Sequence, residues 1–316
     1  MEHFADRLCA AIRVRGNAVC VGLDPRWESL PMALRAKHAD GKLEGVARAY
    51  EEFCGRVIDI VAPLVPVIKP QSAFFEACGP AGMVVLQRVL RRARERGLLT
   101  ILDSKRNDIA STAAAYADAA FTGFDMDGRR YPVWDADAMT VNPYLGRDAV
   151  EPFLESARMA QRGVFVLVRT SNPGAGQFQD LSCDGRPLFL EVATAVRSWT
   201  REHLGQCGYG DVGAVVGATH PQELAMIRQS LREAFFLLPG YGAQGAKAAD
   251  TAPAFRDDGL GAIVSSSRGI IFAFAPDDKD WEGKVEAAAR AAIVELASAT
   301  SMNRLKNSNL GSSAAR

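Results

Sequence analysis

The sequence predicts an α/β fold, a single-domain (β/α)8 barrel of the TIM type, and three features of the chain indicate it. Short apolar runs alternate with segments of helical periodicity, as in folds built from repeated strand–helix units. The runs are apolar almost throughout, which is typical of parallel strands buried on both faces. There are eight such runs, and eight repeats favour a closed barrel over an open, doubly wound sheet.

Each apolar run predicts one strand of the barrel. In chain order the predicted strands are residues 18–23, 64–68, 98–102, 136–141, 163–168, 212–217, 234–238 and 261–264. Residues 122–135, between the third and fourth strands, are polar and predict an insertion. The barrel domain is predicted to span residues 1–297, and residues 298–316, rich in Ser, Asn and Ala, predict a poorly ordered tail outside it.

Composition and charge narrow the class of protein. Apolar residues make up 48% of the chain and charged residues 23%, as in an ordinary globular enzyme with a sizeable core. Lysine plus arginine total 37 and aspartate plus glutamate total 37, so no overall charge attracts nucleic acid or an anionic membrane. An anionic ligand must therefore be bound by a local site.

Cysteine and histidine positions bear on compartment and metals. The six cysteines are far apart and form no C-x-x-C pair, which favours a reducing compartment over a disulfide framework. Residues 1–15 contain no continuous apolar stretch, so neither a signal peptide nor a membrane span is predicted there, and a cytoplasmic location is expected. His3, His38, His203 and His220 lack metal-motif spacing, so no metal site is predicted.

Polar residues follow the predicted strands, and in a barrel all strand exits lie on one face, where catalytic groups converge. In strand order the exit residues are Asp24, Lys69, Asp103 with Lys105, Asn142, Thr170 with Ser171, Thr219, Gly240, and residues 265–268. Polar residues that merely begin loops would explain any single exit. That alternative does not readily explain charged residues after each of the first three strands.

The third exit carries the densest cluster of charge. Asp103 and Lys105 are two positions apart at the end of a strand, so their side chains are expected to point the same way. A structural ion pair is the alternative for this couple, and an N-cap of the helix predicted at 109–121 is the alternative for Asp108. Buried ion pairs need not stabilise a fold, so a dense cluster of opposite charges favours a ligand site.

The last two exits predict a phosphate site. Residues 239–245 read Pro-Gly-Tyr-Gly-Ala-Gln-Gly, where glycines let backbone N–H groups approach an anion closely. Residues 265–269 read Ser-Ser-Ser-Arg-Gly and add hydroxyl groups and the Arg268 guanidinium, which can hold phosphate through two parallel hydrogen bonds. Barrels commonly bind phosphate after strands seven and eight, where these two segments fall.

These motifs together resemble the orotidine 5′-phosphate decarboxylase family. The run Asp103-Ser-Lys105-Arg-Asn-Asp108-Ile109 is similar to its D-x-K-x-x-D-I signature. Four further segments, at residues 21–25, 68–71, 140–146 and 170–173, and the Pro-Gly-Tyr-Gly-Ala-Gln-Gly segment resemble the bacterial subgroup often called type 2. The likeness extends from about Phe4 to Phe274, which is nearly the whole barrel.

The resemblance implies decarboxylation of orotidine 5′-monophosphate (OMP) to uridine 5′-monophosphate (UMP) and carbon dioxide, the last step of de novo UMP synthesis, without metal or cofactor. It implies that Lys105 donates a proton to ring carbon C6, that Asp103 lies beside the departing carboxylate, and that Lys69 and Asp108 complete a charge network. It also implies a homodimer in which Asp108 and Ile109 serve the neighbouring subunit's site. The implied substrate-binding residues are Asp24, Ile109, Thr112, Asn142, Thr170, Ser171, Gly242, Gln244, Arg268 and Gly269.

Those roles suit the chemistry. Loss of carbon dioxide leaves an electron pair at C6, and a preorganised ammonium group aimed at that carbon stabilises it. Binding energy from the distant phosphate can be spent on closing loops, so residues 172–183, with Gly174 and Gly176, predict a mobile lid. Two other interpretations stay open, a metal-dependent sugar-phosphate decarboxylase or aldolase of the same barrel suprafamily and an inactive nucleotide-binding barrel. The first needs an acidic ligand where this chain has Lys69.

Overall fold

The computed structural model describes residues 2–242 and 245–305 and contains a closed barrel of eight parallel strands. Each strand pairs with its sequence neighbours and the eighth closes on the first. The strands are β1 Val19–Leu23, β2 Val67–Pro70, β3 Leu99–Arg106, β4 Ala138–Val141, β5 Gly163–Arg169, β6 Val212–Val216, β7 Phe236–Leu238 and β8 Ala262–Ser266. The predicted fold class and all eight predicted strands are confirmed.

The strands are buried because both of their faces are covered. Every residue of β1, β4, β6 and β8 is buried, between the barrel interior and the surrounding helices. A parallel strand in this position needs apolar side chains on both faces, which explains the continuous apolar runs in the sequence. The largest error is at the second strand, predicted at 64–68, because residues 62–65 still form the turn that ends the preceding helix.

The helices surround the barrel, and the long ones bury one face each. In α3, Tyr50, Phe53, Val57 and Val61 are buried at the three- and four-residue spacing of an amphipathic helix. The helices are α1 Phe4–Arg15, α2 Met32–His38, α3 Leu43–Val61, α4 Ser72–Glu76, α5 Gly79–Glu95, α6 Ala110–Ala120, α7 Arg147–Met159, α8 Gly176–Gln179, α9 Leu188–Arg201, α10 Pro221–Ser230, α11 Arg268–Ile271 and α12 Trp281–Ala299. None of the described helices is both long and apolar enough to cross a membrane.

Helix α1 contacts the end of the barrel where the strands begin. Phe4 is buried and meets Phe165 edge to face, with ring centroids 6.2 Å apart. Arg7 donates to the carboxylate of Asp137, which directly precedes β4, over 2.6 Å. This end is packed by the helix, and the opposite end, where the strands terminate, carries the polar exit residues.

The insertion is exposed on the outside of the barrel, whereas the first residues after position 297 pack against it. Residues 122–135 contain an exposed two-stranded hairpin, Phe124–Met126 with Arg129–Tyr131. The predicted domain boundary after residue 297 falls inside α12, and a 3-10 turn at Ser301–Arg304 follows. Met302 is fully buried and accepts a hydrogen bond from the Ala18 N–H, so the packed barrel extends to at least Leu305. Residues 306–316 lie outside the described residues.

Candidate active site

Five of the predicted site residues meet in a polar cavity at the carboxyl ends of the strands. Its volume is about 240 Å³. The five are Asp24, Lys69, Asp103, Lys105 and Arg268, and the cavity is also lined by Arg26, Gln71, Pro239, Gly240, Tyr241, Ser265 and Ser267. The residues come from the exits of β1, β2, β3, β7 and β8, so distant parts of the chain converge as a barrel requires.

A chain of charges crosses the floor of this cavity. Lys69 Nζ lies 2.6 Å from Asp103 Oδ2, and Lys105 Nζ lies 2.6 Å from Asp103 Oδ1. The side chains of Lys69 and Asp103 are each 7% exposed, whereas that of Lys105 is 43% exposed. One buried carboxylate is therefore shared by two ammonium groups, and the second of these reaches into the open cavity.

Thr140, on the neighbouring strand β4, holds the carboxylate and the strand end together. Its hydroxyl donates to Asp103 Oδ1 over 2.9 Å and accepts the backbone N–H groups of Ser104 and Lys105 at 3.1 and 2.9 Å. Lys105 has a positive φ of 48°, which non-glycine residues rarely adopt. The Thr140 hydroxyl is thus one of the contacts that stabilise this unusual backbone and fix the direction of the ammonium group.

The charges of the buried pair are mutually maintained. Burial lowers the pKa of Lys69, but the carboxylates of Asp103 and Asp24 outweigh it and raise the pKa above the ordinary lysine value. Burial raises the pKa of Asp103, but Lys69 and Lys105 hold it well below the ordinary range for a carboxyl group. Both side chains therefore stay ionised at neutral pH despite their burial.

The side of the cavity formed by the β7 and β8 exits has the backbone that the phosphate prediction requires. Gly240 and Gly242 have φ of 97° and 75°, a conformation that favours glycine. Gly22 of β1 is needed for space, because a Cβ there would lie 1.9 Å from the Ser267 hydroxyl oxygen. Ser265, Ser267 and Arg268 all line the cavity on this side.

Two polar atoms near the cavity are buried without a hydrogen-bond partner. They are Asp24 Oδ1 and Arg26 Nε. A buried polar atom that lacks a partner carries a desolvation penalty of about 1–3 kcal/mol, and a bound polar ligand can remove it. The guanidinium of Arg26 also lies over the Phe74 ring, 5.4 Å from its centroid, which fixes its position beside Asp24.

Several predicted residues lie outside the polar cavity. Asn142 and Thr170 instead line a neighbouring, largely apolar cavity of about 440 Å³ beside Phe178 of α8. Ser171 packs against the β6 exit, where a Cβ on Gly217 would lie 2.9 Å from the Ser171 Cβ. Gly242 and Gly269 flank lining residues of the polar cavity, and Gln244 lies outside the described residues.

The residues predicted to act across subunits follow β3. Asp108 is not the N-cap of α6: that position is held by Ile109, whose N–H donates to Asp108 Oδ1 over 2.8 Å. The helix begins one residue later than the N-cap interpretation requires, so the Asp108 carboxylate accepts only from the N–H of the N-cap residue itself. Ile109 is 60% exposed and Thr112 is exposed, and neither lines the polar cavity.

The predicted lid segment is exposed along most of its length, and its second half is tied to the end of β5. Residues 172–183 contain the short helix α8 and run into a small hairpin, Ser182–Cys183 with Arg186–Pro187. Arg169, at the end of β5, forms an ion pair with Asp180 at 2.7 Å. The Gln179 amide donates to the Thr170 hydroxyl at 2.8 Å. Together with the hydrogen bond from the Thr170 N–H to Gln179 Oε1, these contacts hold the segment against the end of β5 in this conformation.

Three residues of the site were not predicted from the sequence. Thr140 lies in the 140–146 segment, and the signal for it was a polar side chain in an otherwise apolar strand. Gln71 lies beside Asp103 through a bridge between neighbouring strand ends. Arg26 follows the β1 exit by two residues, where a loop residue gives no periodic signal.

The chain matches the model of the orotidine 5′-phosphate decarboxylase / HUMPS family over residues 17–279. Two similar curated proteins are both orotidine 5′-phosphate decarboxylases. That of Rhodopirellula baltica is 49% identical over 91% of this chain and 97% of the relative. That of Roseiflexus sp. (strain RS-1) is 42% identical over 85% of this chain and 89% of the relative.

The fold of this chain is also similar to that of a solved structure. The OMP decarboxylase of Leishmania donovani superposes with a TM-score of 0.72 and 33% sequence identity. The match covers 94% of this chain and 98% of that one.

Proposed function

Because the chain belongs to the orotidine 5′-phosphate decarboxylase / HUMPS family, we propose that it converts OMP to UMP and carbon dioxide, the last step of UMP biosynthesis. The single observation that carries the proposal is the Lys69–Asp103–Lys105 network at the mouth of the barrel. It places a fixed ammonium group, backed by a buried carboxylate, in an open polar cavity.

In the proposed reaction the bond between C6 of the pyrimidine and the carboxylate carbon breaks, and carbon dioxide leaves. The electron pair of that bond stays on C6, and Lys105 Nζ transfers one proton to it, which yields UMP. Water then returns a proton to the lysine. The positive charge of Lys105 is present before the bond breaks, so the site spends no reorganisation energy in stabilising the developing carbanion.

Asp103 has two tasks in this scheme. Its Oδ1 holds the Lys105 ammonium group at 2.6 Å, which limits the directions that the flexible lysine side chain can take. In the proposed scheme the substrate carboxylate binds next to this negative charge. Repulsion between the two carboxylates is relieved as carbon dioxide leaves.

The remaining contacts orient the nucleotide. The unpartnered Asp24 Oδ1 suits a ribose hydroxyl, which can donate a hydrogen bond to it. Arg268, with Ser265, Ser267 and the β7 exit glycines, suits the 5′-phosphate. Asn142, Thr170, Ser171 and Gln244 are proposed to contact the base or the phosphate once residues 172–183 close over the site.

Replacing Arg268 with alanine is expected to weaken UMP binding by about 10- to 100-fold, because it removes charged hydrogen bonds to the phosphate. Affinity for uridine, which has no phosphate, is expected to change little. Titration calorimetry with both ligands measures the contrast. Arg290→Ala, which removes an exposed arginine paired with Glu286 on α12, is the matched control. Equal UMP affinity in the Arg268 variant and the wild type would remove Arg268 from the phosphate site.

The charge network opposes the metal-dependent alternative. Both oxygens of Asp103 are engaged by ammonium groups, at 2.6 Å each, and Oδ1 also accepts from Thr140. A divalent cation at this carboxylate would lie against Lys69, whose side chain is buried and charged. Like charges in a buried site repel strongly, so a sugar-phosphate aldolase type of metal centre does not suit these residues.

The experiment that tests the function follows the ultraviolet absorbance of OMP with purified protein in excess EDTA. Rapid loss of the orotate chromophore supports the proposed reaction and excludes a requirement for a free divalent metal. Absence of turnover with OMP, together with tight UMP binding, would favour the inactive nucleotide-binding barrel instead. If turnover is absent in EDTA and returns when magnesium is added, the metal-dependent interpretation would be favoured.

We also propose that the active unit is a homodimer with shared sites. Asp108 and Ile109 do not line the polar cavity of their own chain, and Ile109 is 60% exposed. Tyr144 and Leu145, in the loop after β4, are 76% and 45% exposed. Exposed apolar side chains on the same face as a cavity are typical of a surface covered by a partner, here a second copy of the chain.

Sharing predicts complementation between two inactive variants. In a heterodimer of Lys105→Ala and Asp108→Ala chains, one site carries both substitutions and the other carries neither. Random mixing is therefore expected to restore about a quarter of the wild-type activity per chain. Mixing Lys105→Ala with Asp103→Asn is the matched control, because those residues serve the same half of the site and no intact site forms. Equal lack of activity in both mixtures, with heterodimers shown by mass, would contradict sharing.

A further inference from the structure

A second group of chemically active side chains lies at the opposite end of the barrel. His3 precedes α1, His203 follows α9, and Asp211 directly precedes β6. These three residues are called the His–His–Asp cluster below. Because Asp211 is at the start of a strand and Asp103 is near the end of one, the cluster is separate from the active site. The sequence predicted no metal site, but the fold brings His3 and His203 together across 200 positions.

The ligand atoms of the His–His–Asp cluster converge. His3 Nε2 lies 3.1 Å from His203 Nδ1, which lies 2.7 Å from Asp211 Oδ2, and the three ligand atoms all fall within 4.8 Å of one another. Ligands bound to zinc at 2.0–2.1 Å in a tetrahedron are separated by about 3.3 Å. Small side-chain shifts are enough to bring this cluster to that spacing.

Protons alone do not satisfy these contacts. The Ala5 N–H donates to His3 Nδ1, so a neutral His3 ring carries its proton on Nε2 and donates toward His203 Nδ1. That leaves a lone pair on His203 Nδ1 facing the carboxylate oxygen of Asp211 at 2.7 Å. If His203 Nδ1 instead carries a proton and donates to Asp211, this N–H group faces the N–H group of His3 Nε2, and neither can accept from the other. A cation that accepts three lone pairs removes the conflict.

A second observation points to a ligand at this place. Asp211 Oδ1 is buried and has no hydrogen-bond partner, and the side chain as a whole is only 3% exposed. Leaving a carboxylate oxygen buried without a partner costs free energy. A metal ion held by Asp211 supplies the missing partner, through bidentate coordination or through a bound water.

The surroundings fix the cluster in place. Asp6, in the first turn of α1, accepts the backbone N–H groups of Gln206 and Cys207 at 3.0 and 2.7 Å, which ties the His203–Asp211 loop to the helix. Arg158 lies 3.3 Å from Asp211 Oδ2 and opposes a cation, whereas the Asp6 carboxylate favours one. The His203 side chain is 34% exposed and leaves a solvent-facing side for a water ligand.

We propose that His3, His203 and Asp211 form a binding site for one divalent transition-metal ion of the zinc class, with water completing the coordination. Two imidazole nitrogens and one carboxylate oxygen are a donor set that zinc takes. The ion joins the N-terminal segment to the loop before β6, so it stabilises the closed end of the barrel. To bind through Nε2, His3 must move its proton to Nδ1 and give up the hydrogen bond from the N–H of the buried Ala5, a cost that the metal–ligand bonds must exceed.

The test measures zinc binding by titration calorimetry on chelator-treated, tag-free protein in a buffer that does not bind metals. One zinc ion per chain is expected, with a dissociation constant that rises on the order of 100-fold or more in Asp211→Asn and in His203→Ala. His38→Ala, which removes a histidine bonded to Glu52 far from the cluster, is the matched control and is expected to bind like the wild type. Cobalt is expected to give the intense visible absorption of a four-coordinate site in the wild type and in His38→Ala, but not in Asp211→Asn or His203→Ala.

Two further readouts separate the outcomes. Saturating zinc is expected to raise the melting temperature of the wild type by about 5 °C and to leave Asp211→Asn unchanged. OMP turnover in EDTA is expected to be the same in all these variants, which shows that they fold and that the inference is independent of the reaction. Wild-type affinity for zinc in both cluster variants, loss of it in Cys207→Ser alone, or no binding by the wild type would each overturn the proposal.

Discussion

Replacing Lys105 with alanine is expected to lower kcat for OMP by at least about 10⁴-fold, because the variant loses both a general acid and a preorganised charge. The remaining groups of the network cannot replace it. Lys69 is bonded to the far oxygen of Asp103 and its side chain is 7% exposed, whereas that of Lys105 is 43% exposed at the cavity. Initial rates from the loss of OMP absorbance give kcat directly.

The Lys105 variant should still fold and still bind nucleotide. Its ammonium group is the more exposed of the two that flank Asp103, so removing it leaves the buried Lys69–Asp103 pair in place. UMP affinity is expected to change by much less than kcat, because the proposed phosphate contacts lie at the β7 and β8 exits. Lys284→Ala, an exposed lysine of α12, is the matched control. A Lys105→Ala enzyme that retains a tenth of the wild-type kcat contradicts the proposed proton donor.

The barrel could be predicted from the sequence because strands buried on both faces have uninterrupted apolar sequences. Strands such as Val212–Val216 are apolar without interruption, and that pattern depends only on local residues. Strand ends were less certain where apolar residues continue from a helix into a strand. Residues 64–65 belong to the turn after α3, although their apolar side chains equally suit a strand.

The convergence of the candidate site residues was predictable where side chains follow from strand position. Asp24, Lys69, Asp103 and Lys105 all lie at strand exits, and the barrel topology alone brings such exits together. The positive φ of Lys105 and its support by Thr140 were not predictable, because they depend on contact between two neighbouring strands. Simple alternation in β3 gave the correct pairing of Asp103 with Lys105 without that detail.

The His–His–Asp cluster, at the end of the barrel where the strands begin, could not be predicted from the spacing of residues in the sequence. His3 and His203 lie far apart in the chain, and no local pattern connects them. They meet because α1 packs against the barrel end, with Phe4 against Phe165, and because the loop before β6 is tied to Asp6. Sites assembled from single residues of distant segments need the fold before they can be recognised.

Replacing Asp103 with asparagine is expected to lower kcat at least about 10³-fold and the free energy of unfolding by about 3 kcal/mol. Asparagine keeps the size of the side chain but offers one oxygen instead of two. Its amide NH₂ group then points donors at one of the two ammonium groups, either Lys69 or Lys105. A buried Lys69 with a weakened partner accounts for the lost stability, and a misdirected Lys105 accounts for the lost rate.

The stability difference between wild type and Asp103→Asn should depend on pH in a defined way. The folded-state pKa of Asp103 is lowered, so its contribution is present above the ordinary carboxyl pKa of about 4 and is lost as the pH falls below it. The folded-state pKa of Lys69 is raised, so its contribution is present below about 10.5 and is lost as the pH rises further. Urea unfolding at pH 3.5, 5, 7 and 9 should show a plateau from 5 to 9 and a smaller difference at 3.5.

Asp137→Asn separates the catalytic from the structural part of this effect. Asp137 is also buried and shared by two cations, Arg7 and Arg162, but it lies at the opposite end of the barrel. Its replacement should lower the free energy of unfolding by a similar amount and leave kcat for OMP within about twofold of the wild type. If the two variants lose stability equally and kcat also falls equally, the charge network at Asp103 supports only the fold. If kcat collapses in Asp103→Asn alone, the buried carboxylate serves the reaction through the position it imposes on Lys105.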